Sequence, residues 1–277
     1  MEKAFSEQVS NGERFEFGNN WSLFLNSIDD ERINKAIKSL INMIGEDNYN
    51  GQSFLDIGSG SGLFSLAARK LGFIVYSFDF DKKSVDCTKK LKELYFKDDT
   101  NWHIEEGSVL DKNYIETLGK FDVVYSWGVL HHTGHMWNAL NNADLPVKEN
   151  GKLYIAIYND QHLESVIWLK IKQLYNANFA GKLFVKAFFI CLYTMGYFFM
   201  DIILFKNPLK RYKDYKEHRG MSMYRDWIDW IGGLPFEVAS PEAIFNFYKK
   251  KKYTLYNILT TNRHGCNQFV FKKKNVK

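Results

Sequence analysis

Cysteine is scarce, with three in 277 residues at Cys87, Cys191 and Cys266. They lie far apart and form no C-x-x-C pair, so the sequence suggests neither a disulfide framework nor a zinc site. The opening residues Met1-Glu2-Lys3-Ala4 lack the apolar run of a secretory signal, and the expectation is a cytoplasmic enzyme. A charge excess of one sign is missing too. The 37 Lys and Arg against 32 Asp and Glu leave a formal +5, too mild to mark a nucleic-acid-binding chain. The lysines at 249–252 are read as the C-terminus of a helix, where the dipole favours cations. Apolar residues are plentiful at 45%, enough for a full core. The length suits one large domain with an insertion, or one domain plus a small cap.

The most informative stretch is Phe54-Leu55-Asp56-Ile57-Gly58-Ser59-Gly60-Ser61-Gly62. A short apolar strand, 53–57, carries an acid near its end. A glycine-alternating loop follows and opens a helix over 63–71. Glycines at such a bend permit positive φ and close approach of a ligand. The spacing is G-x-G-x-G, not the dinucleotide G-x-G-x-x-G, and Asp56 stands two residues before the first glycine. A fixed carboxylate there repels a pyrophosphate but suits a ligand bearing an amino group. A second strand, 74–79, ends in Asp79, seventeen positions beyond Gly62, where a strand-end carboxylate can accept two ribose hydroxyls.

The pattern continues with Asp81 capping a helix over 82–96 and a strand at 103–106. The turn Gly107-Ser108-Val109-Leu110-Asp111 leads to a strand at 121–126, a helix at 136–147 and a fifth strand at 151–158. Alternating strands and helices predict a parallel sheet with right-handed crossovers. Near the C-terminus Ser240 and Pro241 start a helix, and strands follow at 253–260 and 266–272. The few residues between them, around Asn262-Arg263-His264-Gly265, are too few for a parallel crossover. They predict an antiparallel hairpin, with a reversed final strand at the sheet edge.

Loop, strand-end acids and reversed final strand together resemble the class I S-adenosylmethionine (SAM) methyltransferases over nearly the whole core. The resemblance implies an α/β fold: a Rossmann-like seven-stranded sheet with an antiparallel last strand, plus an N-terminal helical extension and a helical insertion after strand five. It implies SAM as methyl donor and S-adenosylhomocysteine as product. By the same resemblance Asp56 holds the methionine amino group, directly or indirectly. Gly58, Ser59, Gly60 and Gly62 form the backbone cradle, Asp79 binds ribose, and Phe80 packs on adenine. Ser108 stands in place of the usual aspartate at the adenine amino group, beside the backbone N–H of Val109. Trp127, with Tyr125 and Tyr158, is placed for cation–π attraction to a sulfonium or simply for packing.

The expected division is an extension or flap at 1–50, a SAM-binding core at 51–160 and 238–277, and a helical lid at 161–237. In the extension Ile33, Ala36, Ile37, Leu40, Ile41 and Ile44 form one helical face with Gly45 after it. The aromatic run Phe15-Glu16-Phe17-Gly18-Asn19-Asn20-Trp21 reads equally as a flap over the cofactor or a strap on the sheet. The lid opens with a helix around 163–175. Residues 183–205 follow, with only Lys186 and Asp201 charged, and then a basic stretch: Lys206, Lys210, Arg211, Lys213, Lys216 and Arg219 against Asp214 and Glu217. A spanning helix would need about twenty apolar residues, whereas the uncharged run between those two charges is fourteen long. A span would also split the sheet. A buried lid or homo-oligomer contact and peripheral membrane contact both remain open. The run from Arg219 to Trp230 suits either a substrate pocket wall or an amphipathic helix facing the core.

Chemistry is expected after strand four, at Ser126-Trp127-Gly128-Val129-Leu130-His131-His132-Thr133-Gly134-His135. Three histidines in five positions invite a metal, but no carboxylate joins the spacing, so no metal is expected. His132 is the preferred general base, since a neutral imidazole can take a hydroxyl proton. Ubiquinone-type O-methyltransferases place a histidine in the matching position, beside an acidic residue where this chain has His131. A loop-anchoring role for either histidine is the competing reading. Asp160 or His162 is the runner-up base.

Three functions follow. The first is O-methylation of a small-molecule biosynthetic hydroxyl, on a sugar, an isoprenoid or similar. The second is tRNA or RNA modification, because Gly128-Val129-Leu130-x-His132 is similar to the loop of tRNA wobble-uridine modifying enzymes. Mild charge argues against nucleic acid as partner. The third is a SAM-binding scaffold without catalysis.

Overall fold

The computed structural model describes residues 5–18, 21, 25, 28–207 and 223–275. Asn19 and Asn20 of the aromatic run, the basic stretch from 208 onward and residues 219–222 lie outside them. In chain order the helices are α1 (Phe5–Ser10), α2 (Asp30–Ile44), α3 (Leu63–Lys70), α4 (Lys82–Tyr95), α5 (Lys112–Thr117), α6 (Met136–Asp144), α7 (Leu163–Ala177), α8 (Phe179–Ile203), α9 (Met223–Gly232) and α10 (Pro241–Lys250). The strands are β1 (Ser53–Ile57), β2 (Ile74–Asp79), β3 (Trp102–Glu106), β4 (Phe121–Trp127), β5 (Val147–Tyr158), β6 (Tyr253–Leu259) and β7 (Cys266–Lys273).

The chain divides into a sheet unit, Asp29–Gln161 with Phe236–Lys277, and a helical unit, Met1–Ile28 with His162–Pro235. In the sheet unit the strand order is β3-β2-β1-β4-β5-β7-β6. The pairs from β3 through β5 are parallel, and β7 runs antiparallel to both β5 and β6. The reversed strand is therefore not at the edge, as the sequence led us to expect. It sits between β5 and β6, because the longer β5 offers Lys152 to Tyr158 as a continuous register for it.

Local chemistry explains the elements. Asp29, Asp81, Asp111 and Ser240 each accept a backbone N–H at the start of a helix, satisfying donors that would otherwise lack partners. Gly45 ends α2 at φ 91° and donates its N–H to Ile41 O. The helix expected to reach 147 stops at Asp144. Leu145 still has helical angles, φ −58° and ψ −45°, but Pro146 after it lacks the N–H that would continue the helix. Pro146 instead offers its carbonyl to Phe121 N–H, and β5 begins one residue later.

The sheet unit buries one continuous apolar core. Leu55, Ile57, Val124, Leu153, Ile155 and Ile157 come from the central strands and meet Leu140 of α6 and Ile244 and Tyr248 of α10. Each such aliphatic side chain contributes about 1.5–3 kcal/mol by leaving water. α2 adds Ile33, Ala36, Leu40, Met43 and Ile44.

The helical unit has a smaller core of Tyr175, Val185 and Ile231, against which Phe15, Trp168, Phe189 and Trp230 pack. Trp227 of α9 meets Tyr193 and Tyr197 of α8. Asn178 caps α8 by accepting Gly181 N–H, and one 25-residue helix covers the long apolar run.

Candidate cofactor and catalytic site

Parallel strands deliver their C-terminal ends to one edge of the sheet, where doubly wound folds bind ligands. Here that edge collects the loops after β1, β2, β3, β4 and β5, which carry Asp56 to Gly62, Asp79 and Phe80, Ser108 and Val109, Trp127 to His132, and Asp160.

The loop after β1 is held by its neighbours. Gly58 and Ser59 donate their N–H groups to Phe78 O at 2.8 and 3.1 Å. Gly58, Gly60 and Gly62 have φ of 78°, 54° and 80°, which side chains resist. A Cβ on Gly58 would lie 2.5 Å from Val129 Cγ1, and one on Gly62 would lie 3.0 Å from Thr88 Cα. The loop is thus pressed against the loop after β4 on one side and against α4 on the other. Ser59 and Thr88 join their hydroxyls at 3.0 Å.

Asp79 ties this loop to β2. Its Oδ2 accepts Gly60 N–H and its Oδ1 accepts Asp81 N–H, both at 2.9 Å. Each carboxylate oxygen has a further lone pair for a ligand hydroxyl. Phe80 follows, half-buried. Ser108 Oγ accepts Leu110 N–H at 3.2 Å. Val109 is buried, and its carbonyl accepts Asn142 Nδ2–H at 2.9 Å.

Asp56 is only 2% exposed. Burial pushes its carboxyl up to about 7; the Ser65 hydroxyl pulls it down and the charge of Asp79 pushes it up further. Ser65 Oγ donates to Asp56 Oδ2 and meets Ser77 Oγ, to which Trp102 Nε1–H donates. A buried polar chain therefore runs beneath the glycine loop. Beside Asp56 on the paired strand stands Tyr125, whose buried hydroxyl has no hydrogen-bond partner among the described residues. Burial first, then Tyr154 and Asp56, holds that phenol well above its usual range. An acid poised near neutrality beside an orphaned hydroxyl, under a positive-φ cradle, fits a ligand with a cationic amino group.

The loop after β4 is a single 3-10 turn, Leu130–His132. Both histidines are buried. His131 is pinned: its Nδ1 accepts Tyr158 N–H at 3.4 Å and its carbonyl accepts Glu237 N–H at 3.0 Å. Its ring lies 3.9 Å from that of Tyr158 between centroids. His132 presents its ring edge-on to Tyr158 at 5.3 Å, and its N–H bonds Val129 O. Since Val129 also abuts Gly58, the turn that carries His132 rests on the glycine loop. Trp127, at the end of β4, is 43% exposed. Asp160 is half-buried and donates its N–H to Ala239 O.

Sequence reasoning missed several supporting residues. Glu237 accepts Met136 N–H, 101 positions away, at 3.0 Å, and so caps α6. Burial raises its carboxyl, against the lowering pull of the Met136 and Gly134 N–H groups. No local pattern advertises a contact over that separation. Thr88 was also unmarked, and Val129 was named only within its motif, because their role is to meet glycines of the loop after β1.

A family profile described as methyltransferase domain matches residues 30–186, more than half of the chain. The ubiquinone biosynthesis O-methyltransferase of Coxiella burnetii is 28% identical over 109 residues, covering 39% of this chain and 44% of that protein. The enzyme of the same name from Pelagibacter ubique is 27% identical over 140 residues, covering 48% and 50%. The chain thus spans about half the length of these curated relatives. Among solved structures, magnesium protoporphyrin IX methyltransferase from Synechocystis PCC 6803 with bound SAH has a TM-score of 0.52. Its identity is 12%, over 88% of this chain and 83% of that one, which shows a shared fold. The seven-stranded sheet with its reversed last strand, the G-x-G-x-G bend and the matched profile agree: the chain belongs to the class I S-adenosylmethionine-dependent methyltransferases.

Proposed function

We propose that this protein transfers a methyl group from SAM to a hydroxyl of a small biosynthetic intermediate. The observation that carries the reading is the seating of the His131–His132 turn on the glycine loop through Val129 and Gly58. That contact brings an imidazole to the reaction edge of the cofactor cradle.

In this reading Asp79 receives the ribose hydroxyls, and the α3 N-terminus behind the glycine loop faces the carboxylate end of the cofactor. Asp56 faces the amino group, whose positive charge favours the ionised carboxylate and lowers its raised pKa. Phe80 covers adenine, Ser108 and Val109 offer it an acceptor and an N–H, and Trp127 offers a π face toward the sulfonium. SAM, when bound, would supply an activated methyl group and a sulfur leaving group that keeps the electron pair. The protein aligns the acceptor and keeps water out. His132 takes the hydroxyl proton as the oxygen attacks, and His131, fixed to β5 and Glu237, keeps the turn in register. The names of the ubiquinone biosynthesis relatives support a hydroxyl acceptor.

The test is to incubate the protein with methyl-labelled SAM and fractionated cell extract, and to identify the labelled product. His132→Ala is expected to retain SAM binding and to lose roughly 100-fold or more in turnover. A labelled RNA or protein in place of a small molecule overturns the substrate class, and a fully active variant removes His132 as base.

A further inference from the structure

Beyond its first turn, where Lys182 is exposed, α8 carries its charges on the wrong side for a helix facing water. Between 183 and 205 the only charged residues are Lys186 and Asp201, and neither lies on the exposed surface. Lys186 is half-buried with its ammonium 5.4 Å from the ring centroid of Tyr224, and Asp201 is 1% exposed. The side chains that do face outward are Leu183, Phe184, Phe188, Leu192, Met195 and Phe199, continuing through Ile203 to Phe205. From Leu183 to the end of the helix at Ile203 this uncharged face runs roughly 31 Å at about 1.5 Å per residue, far longer than the scattered apolar spots of an ordinary soluble surface.

The helix is long and apolar enough to cross a membrane by composition alone, yet the sheet forbids it. β5 precedes α8 and β7 follows it, and the two pair residue by residue from Lys152↔Lys272 to Tyr158↔Cys266. A single crossing between them would place paired strands on opposite sides of the bilayer. α7, at 15 residues, is short of the roughly 17–25 that a returning span requires.

We infer that α8 lies in the plane of an anionic lipid bilayer surface, with its Leu, Phe and Met face sunk at the headgroup boundary. The charge of the lipid follows from what comes next in the chain. Six cations, Lys206, Lys210, Arg211, Lys213, Lys216 and Arg219, stand against Asp214 and Glu217 immediately after the helix. An apolar helical face continued in sequence by a basic segment is the pattern that anionic headgroups recognise. α7 extends the same character, with Leu163, Val166, Ile167 and Leu174 exposed at helical spacing.

The experiment is flotation of the full chain, without cofactor, with vesicles of phosphatidylcholine alone and of phosphatidylcholine mixed with phosphatidylglycerol. Size-exclusion chromatography with light scattering runs in parallel. The protein is expected to float with the mixed vesicles, to bind pure phosphatidylcholine about tenfold less, and to release as salt rises. Phe188→Glu with Phe199→Glu should lower the bound fraction about tenfold or more. Phe184→Ser with Phe198→Ser, an independent pair, should do the same. Unchanged far-ultraviolet dichroism and SAM affinity confirm that both variants fold. A protein that stays at the bottom with both vesicle types overturns the inference. So does equal flotation of both variants, and so does a dimer that these substitutions dissociate in a chain that ignores lipid.

Discussion

The two units of this molecule sort their residues in opposite ways. In the sheet unit the apolar side chains of β1, β4 and β5 are inside, and one buried acid, Asp56, is held by the Ser65 hydroxyl under a ligand loop. In the helical unit charged groups are inside: Lys172 is 0% exposed, its ammonium on the Trp230 carbonyl and ring, and Asp201 is buried as well. Phenylalanines and leucines of α8 face outward. The first arrangement is the one that water favours. The second makes sense where the surroundings of α8 are themselves apolar, and it teaches that burial of charge in this unit goes with exposure of hydrophobe.

Truncation should break the symmetry of that comparison most visibly. Leu55→Ala, in the sheet core, is expected to cost about 2–5 kcal/mol in denaturant unfolding. Phe188→Ala, on the outer face of α8, should change stability by no more than about 0.5 kcal/mol in vesicle-free buffer. Equal losses would mean that α8 is covered in solution.

The buried charges sharpen it through pH. Burial pushes the Asp56 carboxyl up to about 7 in the folded chain, against an ordinary 3.8. Between those two values the folded state keeps a proton that the unfolded state has lost, so stability falls as pH rises through the window and the full penalty stands above it. Asp56→Asn should flatten that slope and be more stable than the parent by a few kcal/mol at pH 8, with little difference near pH 4. A parallel pair of stability–pH curves would contradict the assignment.

Lys172 shifts the other way, lowered by burial from 10.5 to about 7, with Asp229 pulling it back up. Between 7 and 10.5 the folded state holds fewer protons than the unfolded, so stability climbs with pH across that range and the penalty is complete below it. Lys172→Met should therefore stabilise the helical unit at pH 6 by about 1–2 kcal/mol, after allowing for the stranded Trp230 carbonyl, and less at pH 10. Thermal melts of both proteins at the two pH values decide it.

What the letters made legible follows the range of the forces involved. The strands from β1 to β5, the caps at Asp81 and Ser240, and the glycine bend rest on neighbours within a few residues, and local pattern shows those. The placement of β7 inside the sheet depends on its pairing with the distant β5 on one side and β6 on the other, which no local pattern carries. The end of α6 was written in Pro146 all the same, a stop signal that the apolar periodicity around it obscured. At the site, Asp56, Asp79 and the glycines were readable because backbone geometry demands them. Glu237 and Thr88 were not, since their partners lie 101 and 29 positions away. The exposure of α8 was hidden for a different reason: a run of apolar residues looks the same to the sequence whether it faces a core or a bilayer.

The central claim is that the bend at Gly58 to Gly62, closed by Asp79, is the SAM cradle. Isothermal titration of SAM into the parent and Asp79→Ala chains, each checked for fold by circular dichroism, tests it most directly. The account expects saturable binding to the parent and a loss of about 100-fold or more in the variant, from two charge-assisted hydrogen bonds to ribose. Equal affinity in the two folded proteins would contradict it.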